Sequence, residues 1–368
     1  MWYEWAYTDR YQVPSDPRTW VDTPFPNFHE HFNTNSLQPF VEYEFRVAPR
    51  LSLTPGIKLA DYAMYLNQYA DNGSTIGCPG GKLSGKAGSA STLCVGGVQF
   101  VTHGTNYSSW LPSLDGRYFL RDNWSVYAQY ATGSVIPPSG VFDTTSASVA
   151  VFPKPTVART YQVGSVWKLN RLTLDFDAYY SHFQNTYTMT TDTAGEAVWS
   201  LPGASNTKGM EAEANAFVGH GFNVYLNGTA GNAKYAQRGL WVANAPSNTA
   251  TAGLMYQHAN WDAAFFSKRI GPMWNDAGKG NTLFNQAVPI DPFNMTNVFV
   301  NYTVKGASAL RGTKLRLSVN NLLDKHSIVG VAPVNVAQHP TPAGGDTLTL
   351  LPGRSVMLTV QFGFAPPR

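Results

Sequence analysis

The 368-residue sequence predicts an all-β fold, an antiparallel transmembrane β-barrel with short turns at one end and long loops at the other. Three observations predict it. Apolar and polar residues alternate with a period of two through segment after segment, the mark of strands with one apolar and one polar face. The connections alternate between short and long along the whole chain. Charged residues make up only 13%, about half the roughly 25% usual in soluble domains, while aromatics reach 13% with 10 Trp.

The same composition removes other classes. Mean hydropathy is −0.21 and no run of about 18 apolar residues exists, so a transmembrane helix is excluded. Disorder does not tolerate this aromatic content. The net charge of +3 is dispersed, and no basic run marks a nucleic-acid surface. The start, "MWYEWAYTDRYQ", has neither a basic n-region nor an apolar h-region. It reads as the middle of a strand, so the chain is either cytoplasmic or begins inside a longer gene product.

About 14 strand segments are expected, each near the length a tilted membrane strand needs. They fall at about 1–11, 37–47, 51–69, 107–120, 123–132, 157–168 and 171–187, then at 205–218, 221–235, 246–258, 260–270, 294–305, 313–324 and 353–364. In 123–131, Trp124, Val126, Ala128 and Tyr130 oppose Ser125, Tyr127 and Gln129. In 171–182, Leu172, Leu174, Phe176, Ala178 and Tyr180 oppose Arg171, Thr173, Asp175 and Asp177. In 210–218, Met210, Ala212, Ala214, Ala216 and Val218 oppose Glu211, Glu213 and Asn215. Phe222, Val224 and Leu226 oppose Asn223, Tyr225 and Asn227, and the last segment sets Val356, Leu358, Val360, Phe362 and Phe364 against Ser355, Thr359 and Gln361.

Short turns are expected at 48–50, 121–122, 169–170, 219–220 and near 259, with a moderate one at 306–312. Long polar loops are expected at 12–36, 70–106, 133–156, 188–204, 236–245, 271–293 and 325–352. A membrane barrel segregates loop lengths in this way; a soluble sandwich has no reason to. Trp2, Trp5, Tyr7, Trp110, Tyr118, Trp124, Tyr130, Tyr161, Trp167 and Trp261 lie near strand ends, as interfacial aromatic girdles do.

"KLRLSV" at 314–319 fixes which face meets lipid. In one register Lys314 and Arg316 enter the apolar band, at about 2–4 kcal/mol each near the midplane. The other register shows lipid only Leu315, Leu317 and Val319. Arg316, Asp175, Asp177, Glu211 and Glu213 are therefore expected to line a polar lumen. Cys78 and Cys94 flank a Gly/Ser-rich stretch, which suggests a disulfide and an oxidising compartment; two free thiols are the alternative. His29 and His31 in "HEH" are candidate ligand or metal contacts in the first long loop, against a plain polar loop. No Ser/His/Asp set or Gly-rich phosphate pattern stands out, and neither an enzymatic activity nor a cofactor is expected.

The stretches "LRLSVNNLLDK", "LPGRSVMLTVQFGF" and "NTKGMEAEANAF" together resemble the β-barrel of TonB-dependent outer-membrane receptors. "LRLSVNNLLDK" is similar to the penultimate-strand motif, here Val319, Asn320, Asn321, Leu322, Leu323 and Asp324. "LPGRSVMLTVQFGF" resembles the terminal strand, opened by Pro352, Gly353 and Arg354. "NTKGMEAEANAF", "TYQVGSVWKLNRLTLDFDAYYSHFQN" and "WLPSLDGRYFL" are similar to further strands of the family. The resemblance implies a 22-stranded barrel with an N-terminal plug, of which residues 1–368 are the C-terminal part of the barrel and carry no plug. Counting back places the first strand at about the ninth, which rises outward and agrees with a long first loop. It also implies residence in the outer membrane of a Gram-negative bacterium, in contact with its lipid bilayer. The implied function is uptake of a scarce extracellular ligand such as a ferric siderophore, coupled to TonB through the missing N-terminal part. The rival reading is a passive porin-like channel of about 14 strands. With two open edges, the isolated chain is expected to form an open or loosely closed sheet.

Overall fold

The computed structural model describes residues 1–12, 28–71, 82–84, 93–95, 102–138, 154–191, 197–237, 239–275, 278–279, 282–283, 288–305, 310–332 and 344–363. One antiparallel sheet organises them. Its strands are β1 (Trp2–Gln12), β2 (Phe28–Gln38), β3 (Leu51–Asp71), β4 (Thr102–Arg121), β5 (Trp124–Val135), β6 (Thr156–Lys168) and β7 (Leu172–Thr191). They continue as β8 (Ala197–Gly219), β9 (Phe222–Tyr235), β10 (Asn248–His258), β11 (Trp261–Ile270), β12 (Phe293–Thr303), β13 (Lys314–Asn320) and β14 (Ser355–Gln361). Two short pieces, Phe40–Glu42 and Phe45–Ala48, carry β2 on toward its turn and pair with β3.

Each strand pairs with its sequence neighbours, so the sheet is a plain up-and-down meander from β1 to β14, and among the described residues those two ends do not pair. At one end the connections are 49–50, 122–123, 169–171, 220–221, 259–260 and 304–313. The tightest of these need left-handed backbone. Gly219, His220 and Gly221 all have positive φ, as does Ala259. A Cβ on Gly221 would run into the Gln257 carbonyl oxygen, so only glycine fits that approach.

Several boundaries differ from expectation in one direction. β2 begins at Phe28, not near 37; β4 begins at Thr102; β7 and β8 run on to Thr191 and from Ala197. The expected loops at 12–36 and 188–204 are therefore partly strand. Their Thr, Asn and Ser residues alternate polar with polar, so no period of two marks them. β8 has 23 residues, more than twice what crosses a bilayer, and the excess lies at the long-loop end.

The register joins the apolar positions of neighbouring strands into rows. One row runs Trp167, Leu174, Ala214, Leu226, Ala252 and Ser267 across β6 to β11. Another runs Trp261, Tyr302, Leu315 and Val360 across β11 to β14. Burial is inverted relative to a soluble protein. Leu358 is 69% exposed, Val356 65% and Val163 58%, while Ser318, Asp177 and Ser125 are buried. Exposed apolar rows over so many strands need a nonaqueous cover.

Candidate functional site

The polar face holds the first cluster. Asp175 stands directly opposite Glu213, and Asp177 opposite Glu211. Like charges facing each other across a ladder are unfavourable, so neighbouring groups must offset them. The Tyr225 hydroxyl donates to Glu213 Oε2 at 2.8 Å, and the Tyr127 hydroxyl to Asp175 Oδ1 at 3.4 Å. Tyr127 reaches Asp175 by lying across Gly164, where a Cβ would strike its ring. Tyr179 lies over Gly209 in the same manner. These tilted phenols help bury Asp177, whose Oδ1 has no hydrogen-bond partner among the described residues. Two glycines thus make room for two tyrosines, and the tyrosines shape the carboxylate patch.

Arg316 occupies the same polar face on β13. Its Nε donates to Ser318 Oγ at 3.1 Å, and its guanidinium lies 4.8 Å from the Phe299 ring centroid. The stacking carries the charge along the wall and keeps it off the row of Leu315 and Leu317.

The second cluster is the rim. β13 ends at Asn320, and Asn321 and Asp324 both adopt left-handed backbone. Asparagine and aspartate tolerate that conformation best after glycine. Asn321 is buried and acts as a clasp. Its Nδ2 donates to the carbonyls of Lys325 (2.9 Å) and Pro352 (2.8 Å), and its Oδ1 accepts from the Lys325 N–H at 3.0 Å. The Leu322 N–H donates to the Thr296 carbonyl at 2.7 Å. Asp324 Oδ1 accepts from the Arg354 N–H at 2.7 Å, and Asn320 Nδ2 donates to Ser355 Oγ at 3.3 Å. The two halves of the sequence motif, 319–324 and 352–354, therefore close the neck of one long loop. Gly353 sits against Asp324 and His326, while Leu323 is exposed. The N–H of Arg354 holds the Asp324 carboxyl below its ordinary range, with His326 and the Arg354 charge acting in the same direction.

Beyond the neck, Ile328–Ala332 pairs with Thr347–Leu350. This hairpin packs on the preceding long loop through Asn275, which donates to the Val331 carbonyl at 2.7 Å and accepts from the Val288 N–H at 3.0 Å. Val288 is fully buried there, beside Val331 and Ile328. Asn275 was not visible in the sequence; a single Asn in a polar loop carries no signal of its own.

Other expected site residues fall elsewhere. His29 and His31 lie on β2, paired opposite Tyr11 and Asp9, and not in a loop. The His31 ring meets Tyr7 edge-on at 4.3 Å. Cys78 lies outside the described residues. Cys94 falls in the short strand Leu93–Val95, but its side chain is not described. A second feature missed by the sequence reading is the cluster of Phe32, Met64, Leu66 and Tyr107 at the long-loop end of β2 to β4. Phe32 sits in the stretch expected to be loop at 12–36, while Met64, Leu66 and Tyr107 lie at the ends of expected strands.

The aromatic girdles are present on the apolar face. Trp124 stacks on Trp167 at 5.6 Å, Phe222 meets Tyr256 at 4.7 Å, and Trp261 meets Tyr302 at 4.8 Å, all at the short-turn end. Tyr130 meets Tyr161 at 5.0 Å, six residues up the same strands, or roughly 20 Å. Trp2 falls on the opposite, polar face.

A meander with lipid-compatible rows outside, a polar wall inside and long loops at one end defines a transmembrane β-barrel of the outer-membrane type. The family model for the TonB dependent receptor-like β-barrel matches residues 2–322, and the chain belongs to that family. Solved structures agree on the fold. The copper transporter OprC superposes with a TM-score of 0.67 at 16% identity, covering 98% of this chain and 53% of its own. The ferric citrate transporter FecA gives 0.64 at 16%, covering 97% and 50%. The ferric yersiniabactin uptake receptor FyuA from Yersinia pestis gives 0.62 at 14%, covering 94% and 48%. The chain spans about half the length of these structures.

Proposed function

We propose that this chain forms part of the wall of an outer-membrane receptor that takes up a scarce extracellular ligand, with an iron–siderophore complex as the cargo. Uptake is coupled to TonB through a plug belonging to the rest of the receptor. The observation that carries the proposal is the family match over 2–322. The named transport roles of several similar structures support the cargo class.

In this reading Asp175, Asp177, Glu211, Glu213 and Arg316 line the lumen. The carboxylate patch offers hydrogen-bond acceptors and negative charge to cationic groups of the plug or to water. The clasp at Asn321 and the Asn275 contact hold two long loops at the outer mouth, where ligand is captured. Catalysis has no part in this function.

The test is growth of an iron-starved strain lacking its own siderophore receptors, complemented with the full gene and supplied with one ferric siderophore at a time. Rescue by at least one siderophore, with saturable uptake of its radiolabelled iron, is expected. Absence of rescue by every siderophore class, with saturable uptake of copper or another ligand instead, would overturn the cargo assignment.

A further inference from the structure

Three long connections leave the outer end of the β9 to β14 wall, at 236–247, 271–292 and 321–354. Their described parts differ in what supports them. The first folds back on its own strand. The Tyr235 N–H donates to the Leu240 carbonyl at 2.8 Å, and the Val242 N–H to the Ala233 carbonyl at 2.9 Å. Tyr235 is buried there, with Leu240, Val242 and Ala243 packed against it. This loop is fastened to the wall and serves as an anchor.

Among the described residues, the second and third loops have less to stand on. Met273–Trp274 pairs with Pro289–Ile290, two residues a side. Beyond its neck, the third loop has the hairpin of Ile328–Ala332 with Thr347–Leu350, closed by the Leu351 N–H on the Ser327 carbonyl at 2.8 Å. Two-stranded pieces of this size are marginal in water, because ordering them costs chain entropy that few contacts offset. Their burial comes from each other. Pro289–Ile290 packs on Ile328–Ala332. Val288 and Val331 are buried together against Ile328, while Leu348 and Leu350 on the far strand stay exposed.

Asn275 makes this dependence mutual. It is buried. Its Nδ2 serves the Val331 carbonyl of the third loop, its Oδ1 the Val288 N–H, and its own N–H the Val288 carbonyl at 3.1 Å. If the third loop leaves alone, Asn275 keeps a buried donor without its acceptor. If residues 288–290 leave alone, Val331 loses its apolar cover and the frame that aims the amide at it. An unpaired buried polar group costs more than a made hydrogen bond contributes, so release of one loop is disfavoured against release of both. The second loop is in turn tied to the anchor. The Asn244 N–H donates to the Trp274 carbonyl at 2.7 Å, and the Ser247 N–H to the Pro272 carbonyl at 3.1 Å.

We propose that 271–292 and 327–351 form one two-state element at the outer mouth, anchored on 236–247 and released only as a whole, with Asn275 as its catch. A ligand that engages either loop then shifts the equilibrium of both, so that a mouth built of separate loops responds as a unit. The coupling is a property of the loops themselves and holds for whatever cargo the receptor takes.

The test is amide hydrogen exchange of the full receptor in lipid vesicles, read by mass spectrometry over rising urea. Peptides from 272–290 and 327–351 are expected to merge onto one opening isotherm, at lower urea than peptides from β7 and β8. Asn275→Ala should speed exchange in both loops together by about 10- to 100-fold, the effect of losing one or two hydrogen bonds to buried backbone groups. Exchange in β7, β8 and 239–242 should stay as in the wild type. Leu323→Ala, at an exposed position of the third loop, should change neither loop. Two separate isotherms in the wild type overturn the proposal without any variant, which keeps the test decisive even if Asn275→Ala does not assemble. Faster exchange of 272–290 alone in Asn275→Ala, with 327–351 at its wild-type rate, overturns it as well.

Discussion

Val163 and Gln162 are adjacent on β6 and face opposite ways, so arginine at each position separates lipid from lumen. Val163 lies five residues from the short-turn end of β6. That is roughly 16 Å along the strand and about 12 Å in height, near the middle of an apolar band about 25 Å tall. It is 58% exposed, and its ladder partners are Ala128 and Ala178, neither of which offers an acceptor side chain. Val163→Arg should therefore cost about 2–4 kcal/mol, or roughly 30- to 700-fold in the folding equilibrium. Gln162 pairs with Gln129 and Tyr179 on the polar face, so Gln162→Arg should cost under about 1 kcal/mol, as for a polar surface position. The assay is reversible urea unfolding in lipid vesicles, followed by tryptophan fluorescence. Equal costs at the two positions, or the larger cost at Gln162, would refute the face assignment.

Other expectations concern the rim and the packed wall. Asn321→Ala removes three side-chain hydrogen bonds at about 0.5–1.5 kcal/mol each, so a loss of about 2–4 kcal/mol in urea unfolding is expected, against little change for exposed Leu323→Ala. The Asp324 carboxyl is held below its ordinary value. Its contribution is therefore full above the unfolded carboxylate value of about 3.9 and is lost as pH falls through the lower folded value. Protease cleavage within 325–351 should rise as pH drops below about 4, and Asp324→Asn should cleave readily at every pH. Gly164→Ala drives a methyl into the Tyr127 ring and should cost about 1–3 kcal/mol by overpacking. Gly133→Ala, which meets nothing within 4 Å, serves as its control.

The fold was legible because alternation and burial agree over the membrane-crossing part of each strand. The fourteen expected segments correspond to the fourteen strands of the sheet path. The upper ends were not legible. In the sequence at 28–36 and 187–191, polar residues fall at both odd and even positions, so a period of two carries no contrast there. Asp175, Asp177, Glu211 and Glu213 were placed on one face by periodicity alone. Their pairing across two strands came only with the register. The motif residues Asn321, Asp324, Pro352 and Arg354 stood out by resemblance, but what they do is a matter of hydrogen bonds between segments about 30 residues apart. Sequence spacing does not encode such contacts.

The proposed coupling of uptake to TonB is open to direct measurement. Accumulation of the radiolabelled cargo is followed in cells producing the full receptor, with TonB present, with TonB deleted, and with the proton gradient collapsed. Accumulation is expected only in energised cells that contain TonB, with surface binding retained in all three. Equal entry of cargo in all three, rising in proportion to its external concentration, would contradict it and identify a passive channel.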